Sequence, residues 1–225
     1  MTEQTSINRT LAEFQAKRAL TMPADKLRIN IDQRRTLVET ADRTGFVKAG
    51  DAVAPFELEE VGGETLSLDA LVKDGPAVLI FFRFAGCPVC NVALPYYDKY
   101  LAPELARLGA VLVAISPQVP EKLVEIEQRH APSFLVATDR DNRLARRFGI
   151  LYSFDEASRR SSLESGTPIG EITGTGTWEL PMPAVIVIDQ TRTVRFAEVS
   201  PDWLVRTEPL DIIAAVRDIV RAAAA

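Results

Sequence analysis

The sequence predicts an α/β protein behind an N-terminal helical extension, and three observations predict it. The runs Ala77-Val78-Leu79-Ile80-Phe81-Phe82 and Val111-Leu112-Val113-Ala114-Ile115 are apolar throughout and bracket a stretch of helical period over residues 88–108. Runs without a polar face read as strands covered on both sides, and strand, helix, strand in that order reads as a parallel pair with a right-handed crossover. Further on, the apolar run 184–188, the turn Asp189-Gln190-Thr191 and the run 194–199 read as an antiparallel hairpin. Finally, both cysteines of the chain, Cys87 and Cys90, fall where the first strand meets its helix.

The remaining elements follow in order. Ile7, Leu11, Phe14 and Arg18 share one helical face, and Leu27, Ile31, Leu37 and Val38 resume it after Pro23, predicting helices over 2–20 and 24–40. Gly45 and Gly50 then punctuate the chain, placing an extension over 1–45 and a second unit over 46–225. An isolated amphipathic pair is marginal in water, so its apolar stripes are expected to pack on that unit or on a second subunit, with a homodimer favoured. Pro55-Phe56-Glu57-Leu58 and Leu66-Ser67-Leu68, joined by Val61-Gly62-Gly63-Glu64, read as a hairpin. Helices are expected over 119–128, 142–148 (stopped by Gly149) and 155–163, with a short strand at 134–137. The glycines at 166, 170, 174 and 176 follow no strand and open no helix, so they read as a surface loop and not a phosphate cradle. Glu208-Pro209 opens a last helix with Leu210, Ile213, Val216 and Val220 on its apolar face.

Composition narrows the function. In 225 residues, 47% hydrophobic, Lys+Arg number 26 against 31 Asp+Glu, a net charge of −5 that offers no general attraction to nucleic acid or anionic lipid. No apolar run nears the roughly 20 residues of a membrane span. The first residues lack a basic region leading into an apolar stretch, so a cytoplasmic address is expected. With 2 Cys and 1 His the chain supplies neither a zinc cage nor a disulfide scaffold, and no cofactor is called for.

The C-x-x-C pair therefore carries the chemistry. A thiolate is the reactive form of cysteine, and a helix amino terminus favours it through unpaired N–H groups and the helix dipole. Cys87 is expected there, exposed, with Pro88 fixing the first helical position and Cys90 one turn on. Arg83 is a candidate cation for thiolate or peroxide oxygens. Half of an intermolecular zinc site, with His130, and inert packing are the competing readings.

The run from Phe81 to Cys90, the later Ala114-Ile115-Ser116-Pro117, the segment from Asp139 to Phe148-Gly149, and Leu180-Pro181-Met182-Pro183-Ala184 together resemble the peroxiredoxin-like branch of the thioredoxin superfamily, the alkyl hydroperoxide reductase and thiol-specific antioxidant group. The resemblance spans residues 46 onward. It implies a thioredoxin-like fold, a central mixed sheet flanked by helices, with Met182-Pro183 as a cis peptide shaping the substrate face beside the cysteines. The chain also departs from the group. Laying the P-x-x-x-T-x-x-C pattern with its cysteine on Cys90 puts Cys87 at the threonine and Arg83 at the proline, and the arginine of the later strand falls at Pro183.

The leading expectation is a thiol-dependent antioxidant enzyme that reduces hydroperoxides through a Cys87/Cys90 dithiol-disulfide cycle and is restored by an external thiol such as a thioredoxin or glutathione system. A thiol-disulfide oxidoreductase acting on disulfide substrates and a non-catalytic redox-sensing module are the alternatives. Helix-end electrostatics favour Cys87 as the first attacker, and the pattern match favours Cys90.

Overall fold

The computed structural model describes residues 6–223. Seven strands form one mixed sheet in the order β2-β1-β5-β4-β3-β8-β9. They are β1 (Glu57–Glu60), β2 (Thr65–Ser67), β3 (Ala77–Phe81), β4 (Val111–Ser116), β5 (Leu135–Thr138), β8 (Ala184–Ile188) and β9 (Val194–Val199). A separate pair, β6 (Leu151–Ser153) and β7 (Glu179–Pro181), is antiparallel. Strand β3 lies parallel to β4, with Ala77 opposite Val111, and antiparallel to β8, with Ala77 opposite Ile188. Because strand side chains alternate, β3 feeds two cores: Val78 and Ile80 enter one with α1, α4 and the last helix, while Ala77, Leu79 and Phe81 enter the other with Leu68, Phe148 and Ile186.

The helices are α1 (Ile7–Ala19), α2 (Ala24–Thr40), α3 (Leu68–Leu71), α4 (Cys90–Tyr100), α5 (Ala102–Arg107), α6 (Pro120–Leu123), α7 (Glu125–His130), α8 (Arg143–Arg147), α9 (Glu156–Glu164), α10 (Ile169–Thr173) and α11 (Pro209–Ala223). The long helix expected over 88–108 is broken at Leu101 and restarts with Pro103 in the first turn of α5, where a missing N–H costs nothing. Pro95 lies inside α4. The helix expected over 119–128 divides at Val124 and extends to His130. Gly149, at φ +70°, ends α8 as expected. Leu210 departs from its assigned face: it is 64% exposed, and Ile212, Ile213 and Val216 are buried instead.

The glycine-rich segment is more than a surface loop. It contains α10, whose Ile169, Gly170 and Thr173 are buried, and the Thr173 carbonyl accepts from Val119 N at 2.8 Å. Gly170 permits this packing, since a Cβ there would lie 2.7 Å from the backbone of Gly176 and Thr177.

Positions 2–5 of the first expected helix lie outside the described residues; from Ile7 the helix is present, and α2 spans the expected range. Ser6 caps α1 by accepting from Arg9 N at 3.3 Å, and the Glu208 carboxylate accepts from Ile7 N at 3.0 Å and Asn8 N at 3.2 Å, anchoring the helix start to the loop before α11. Ile7 and Leu11 are fully buried in the core shared with α4. The start of the first stripe is thus covered by this chain, whereas Ile31 and Val38 of the second are exposed and α2 instead buries Gln33. Leu11→Ala is expected to lower unfolding stability by about 2–5 kcal/mol, read from urea denaturation; a loss under about 1 kcal/mol would show that α1 contributes little packing.

Candidate active site: a buried dithiol between two guanidinium groups

Strand β3 delivers the chain to the site. Phe82 N still bonds Ile115 O at 2.9 Å, after which the backbone leaves the sheet. The end of β4 holds the loop: Ser116 Oγ donates to Arg83 O at 3.1 Å, and the Gln118 side-chain oxygen accepts from Ala85 N at 2.7 Å. From the other side, Asn91 Nδ2 donates to Ala85 O at 2.6 Å and to Cys87 O at 2.9 Å. Asn91 is held in turn by Arg129 Nη1 at 2.8 Å and His130 Nε2 at 2.7 Å. His130 therefore braces this loop. No group of His, Cys, Asp and Glu able to hold a metal ion occurs among the described residues.

The helix begins later than the sequence suggested. Cys90 is its first residue, and Cys87, Pro88 and Val89 form the turn before it. Pro88 and Gly86 are exposed, whereas Cys87 and Cys90 are fully buried, so the expected exposure of Cys87 is corrected. Both cysteines are free thiols.

Two guanidinium groups flank them. Arg83, 8% exposed, stacks on Trp203 with its central carbon 4.9 Å from the ring centroid, and also faces Phe84 at 5.7 Å and Phe154 at 5.8 Å. Its Nε is buried without a hydrogen-bond partner, as is the nearby Tyr152 Oη. Arg206, 5% exposed, donates from Nη1 to Trp203 O at 2.7 Å and Val205 O at 2.8 Å, and from Nη2 to Cys90 Sγ at 3.6 Å.

The N-terminal helices fix both cations. Asn8 exchanges hydrogen bonds with the Arg206 backbone, accepting from its N at 2.9 Å and donating to its O at 2.7 Å. Gln33 of α2 accepts from Trp203 Nε1 at 3.0 Å and donates to Ser158 Oγ at 2.7 Å, while Arg34 grips Asp202 at 2.6 Å.

This arrangement separates the two sulfurs electrostatically. Burial alone raises the Cys87 pKa, but a hydrogen bond from the Cys90 thiol, the charges of Arg83 and Arg206, and the Cys90 backbone N–H outweigh it and bring the value to about 5. Cys90 is pushed well up by burial, by the bond it donates and by the Cys87 charge, with Arg206 opposing. At neutral pH the pair is one thiolate and one thiol sharing a proton.

A stability signature follows. Between about pH 5 and an ordinary thiol pKa near 8.5, the reduced folded protein has lost a Cys87 proton that the unfolded chain still carries, so its stability rises with pH. Above about pH 8.5 the unfolded chain loses the Cys90 proton that the fold retains, so stability falls again. Urea titrations of reduced protein against the Cys87→Ser/Cys90→Ser double variant should show this maximum in the first only; matching curves would rule out a shifted pair.

The other expected site residues stand further off. Met182 packs with Tyr152, Ile169 and Leu180, a cluster that borders Phe84 and Phe154 of the Arg83 cage. The Met182–Pro183 bond is trans, contrary to the cis peptide implied by the resemblance, since no cis bond occurs among the described residues. The segment runs extended into β8, with Met182 N bonded to Ile150 O at 2.7 Å and Pro183 O accepting from Ser200 N at 2.8 Å, a geometry that a trans proline ahead of a strand satisfies.

Comparison with known proteins agrees with the fold. The family model described as "AhpC/TSA family" matches residues 49–197. The chain belongs to the AhpC/TSA family. Rv1608c of Mycobacterium tuberculosis is 32% identical over 104 residues, 46% of this chain and 67% of that protein. Peroxiredoxin Bcp of Escherichia coli (strain K12) is 31% identical over 106 residues, 46% of this chain and 65% of its own length. In structure the chain resembles peroxidoxin BcpB from Mycobacterium tuberculosis, with a TM-score of 0.60 at 25% identity over 77% of this chain and 98% of the other. It is a peroxiredoxin-like, thiol-dependent oxidoreductase with a thioredoxin-like fold.

Within this AhpC/TSA chain, the sequence pointed to Arg83 but missed Arg206, Trp203, Tyr152 and Asn91. Arg206 sits in the irregular stretch between β9 and α11, where no periodicity distinguishes it. The arginine that the family pattern would place at Pro183 has no counterpart there, and Arg206 supplies a second guanidinium from a different stretch of chain.

Proposed function

We propose that Cys87 and Cys90 reduce hydroperoxides in a dithiol-disulfide cycle. What supports this reading is a buried pair of cysteines with the Arg206 guanidinium 3.6 Å from Cys90 Sγ and with the charges of Arg83 and Arg206 favouring an ionised Cys87. The Cys87 thiolate attacks the terminal peroxide oxygen. The O–O bond breaks, and the electron pair leaves with the alkoxide, which takes up a proton as the alcohol. Cys87 is then a sulfenic acid. Attack by the Cys90 sulfur forms the Cys87–Cys90 disulfide and releases water, and two electrons from an external thiol, of thioredoxin or glutathione type, restore the dithiol. Arg83 and Arg206 stabilise the charge on sulfur and on the departing oxygen.

Full burial of both sulfurs favours a small peroxide over a protein disulfide, which needs a sulfur at the surface. In this reading residues 46–225 form the redox unit, and the extension over 1–45 holds the segment 202–208 against it. The test is a coupled assay with hydrogen peroxide, cumene hydroperoxide and insulin as alternative oxidants, with mass mapping of the product. Peroxide turnover with a Cys87–Cys90 bridge is expected. Insulin reduction without peroxide turnover, or bridges only between chains, would overturn the reading.

A further inference from the structure

A cavity of about 320 Å³ opens against the dithiol loop, lined at its floor by Arg83, Phe84 and the backbone at Gly86. These three residues line it, while both cysteines are fully buried. Another cavity, about 900 Å³ between β9 and α11, is lined by none of the residues of that loop. The walls of the smaller cavity come from the N-terminal helices on one side and from α9, α10 and their connecting loop on the other.

The lining has an unbalanced charge. Arg18 and Lys26 join Arg83 in it, and no Asp or Glu does, in a chain whose net charge is −5. None of these three cations forms an ion pair among the described residues. Lys26 Nζ donates to Ser165 Oγ at 2.7 Å, Arg18 has only a 3.4 Å bond to the Gln15 side chain, and Arg83 stacks on rings with its Nε unpartnered. Arg18 is near enough to Cys87 and Arg83 to feel both charges. The rest of the lining mixes apolar side chains, among them Met22, Phe154 and Ile172, with serine and threonine hydroxyls and the amides of Asn30 and Gln33. Three cations with no acidic partner, set among apolar and hydroxyl side chains at the loop that carries the cysteines, suit an organic ligand that bears an acid.

We infer that this cavity selects a carboxylate-bearing organic hydroperoxide: Arg18 and Lys26 hold the carboxylate, Met22, Phe154 and Ile172 hold the carbon body, and Arg83 receives the peroxide group at the loop that carries Cys87. The cavity rests on its own geometry, while the identity of the reacting group rests on the peroxidase reading. The N-terminal helices are then specificity elements of this chain, lying outside the segment 49–197 that it shares with its family.

The test compares para-carboxylated cumene hydroperoxide with neutral cumene hydroperoxide, using the uncharged reductant dithiothreitol. For the full chain, kcat/KM should favour the carboxylated substrate by roughly tenfold or more, and Arg18→Met and Lys26→Met should each reduce that ratio several-fold. Binding of the unreactive para-isopropylbenzoate, followed by tryptophan fluorescence, should weaken in parallel, with circular dichroism confirming that the variants fold. Equal kcat/KM for the two peroxides, or a preference that survives both substitutions, overturns the inference while leaving peroxidase activity standing. Carboxylate binding that depends on Arg18 and Lys26, with no peroxide turnover, overturns the peroxidase reading and with it the hydroperoxide assignment. If the substitutions change only the rate with a carboxylate-bearing thiol such as glutathione, the cavity serves the reductant, and the assignment to the peroxide is overturned.

Discussion

Cys87→Ser protein treated with stoichiometric hydrogen peroxide should form no trappable sulfenic acid, its reaction slowed by about 10³-fold or more. Cys90→Ser protein should form one at Cys87 promptly and then stall. The asymmetry follows from the shared proton. Cys87 carries the negative charge at neutral pH, whereas burial and the neighbouring thiolate keep Cys90 protonated, and a buried neutral thiol is a poor nucleophile. A serine hydroxyl at position 90 still donates toward Cys87, so the thiolate keeps a hydrogen bond in the second variant. What that variant lacks is a sulfur to displace water from the sulfenic acid, which therefore accumulates. Dimedone labelling with peptide mapping reads both outcomes. Labelling of Cys90 in Cys87→Ser protein at the wild-type rate would assign peroxide attack to Cys90, as the family spacing suggests.

The second large effect is expected at Arg206. Its guanidinium touches Cys90 Sγ at 3.6 Å and helps hold Cys87 ionised, and it is 5% exposed. Arg206→Met keeps much of the volume and removes the charge. The Cys87 pKa should then rise by about 1–3 units, and peroxide reactivity at neutral pH should fall by roughly 10²-fold as thiolate and transition-state stabilisation are lost together. A purely structural lesion would slow the reaction equally at every pH. Loss of the charge predicts partial recovery above the new pKa, so the pH profile of iodoacetamide alkylation separates the two. Arg83→Met should behave similarly, with the Trp203 stack retained in part by the methionine thioether. An unchanged alkylation profile in both variants would show that neither cation holds the thiolate.

Much of this architecture was legible because it is written in short-range chemistry. Uniformly apolar β3 and β4, the hairpin of β8 and β9, and Gly149 at the end of α8 each declare themselves through periodicity or a backbone requirement. The C-x-x-C likewise marks its own place. The cage around it was not legible, because Trp203 and Arg206 reach the site from over a hundred residues away and through an irregular segment, held by Gln33 and Asn8 from the opposite end of the chain. Side chains gathered by tertiary packing leave no local spacing to read. The helix start differs by one irregular turn: Asn91 N does bond Cys87 O at 3.1 Å, as a first helical position at Pro88 requires, but Val92 N bonds Val89 O at 3.2 Å, so regular helix begins at Cys90.

The proline inside α4 bears on how the two sulfurs meet. Pro95 has no N–H, so the Asn91 carbonyl has no donor from the next turn. The segment from Cys90 to Leu94 is consequently fastened to the rest of its helix by one bond fewer than a regular helix provides, and it relies on side-chain ties at its outer end. In amide hydrogen exchange, that first turn should open ahead of the residues beyond Pro95, as a small unit with its own opening free energy. Cys90, already hydrogen-bonded to Cys87, thus sits on a short segment whose tie to the helix beyond it is weakened at one point, so closing the bridge asks for adjustment of that turn and not of the domain.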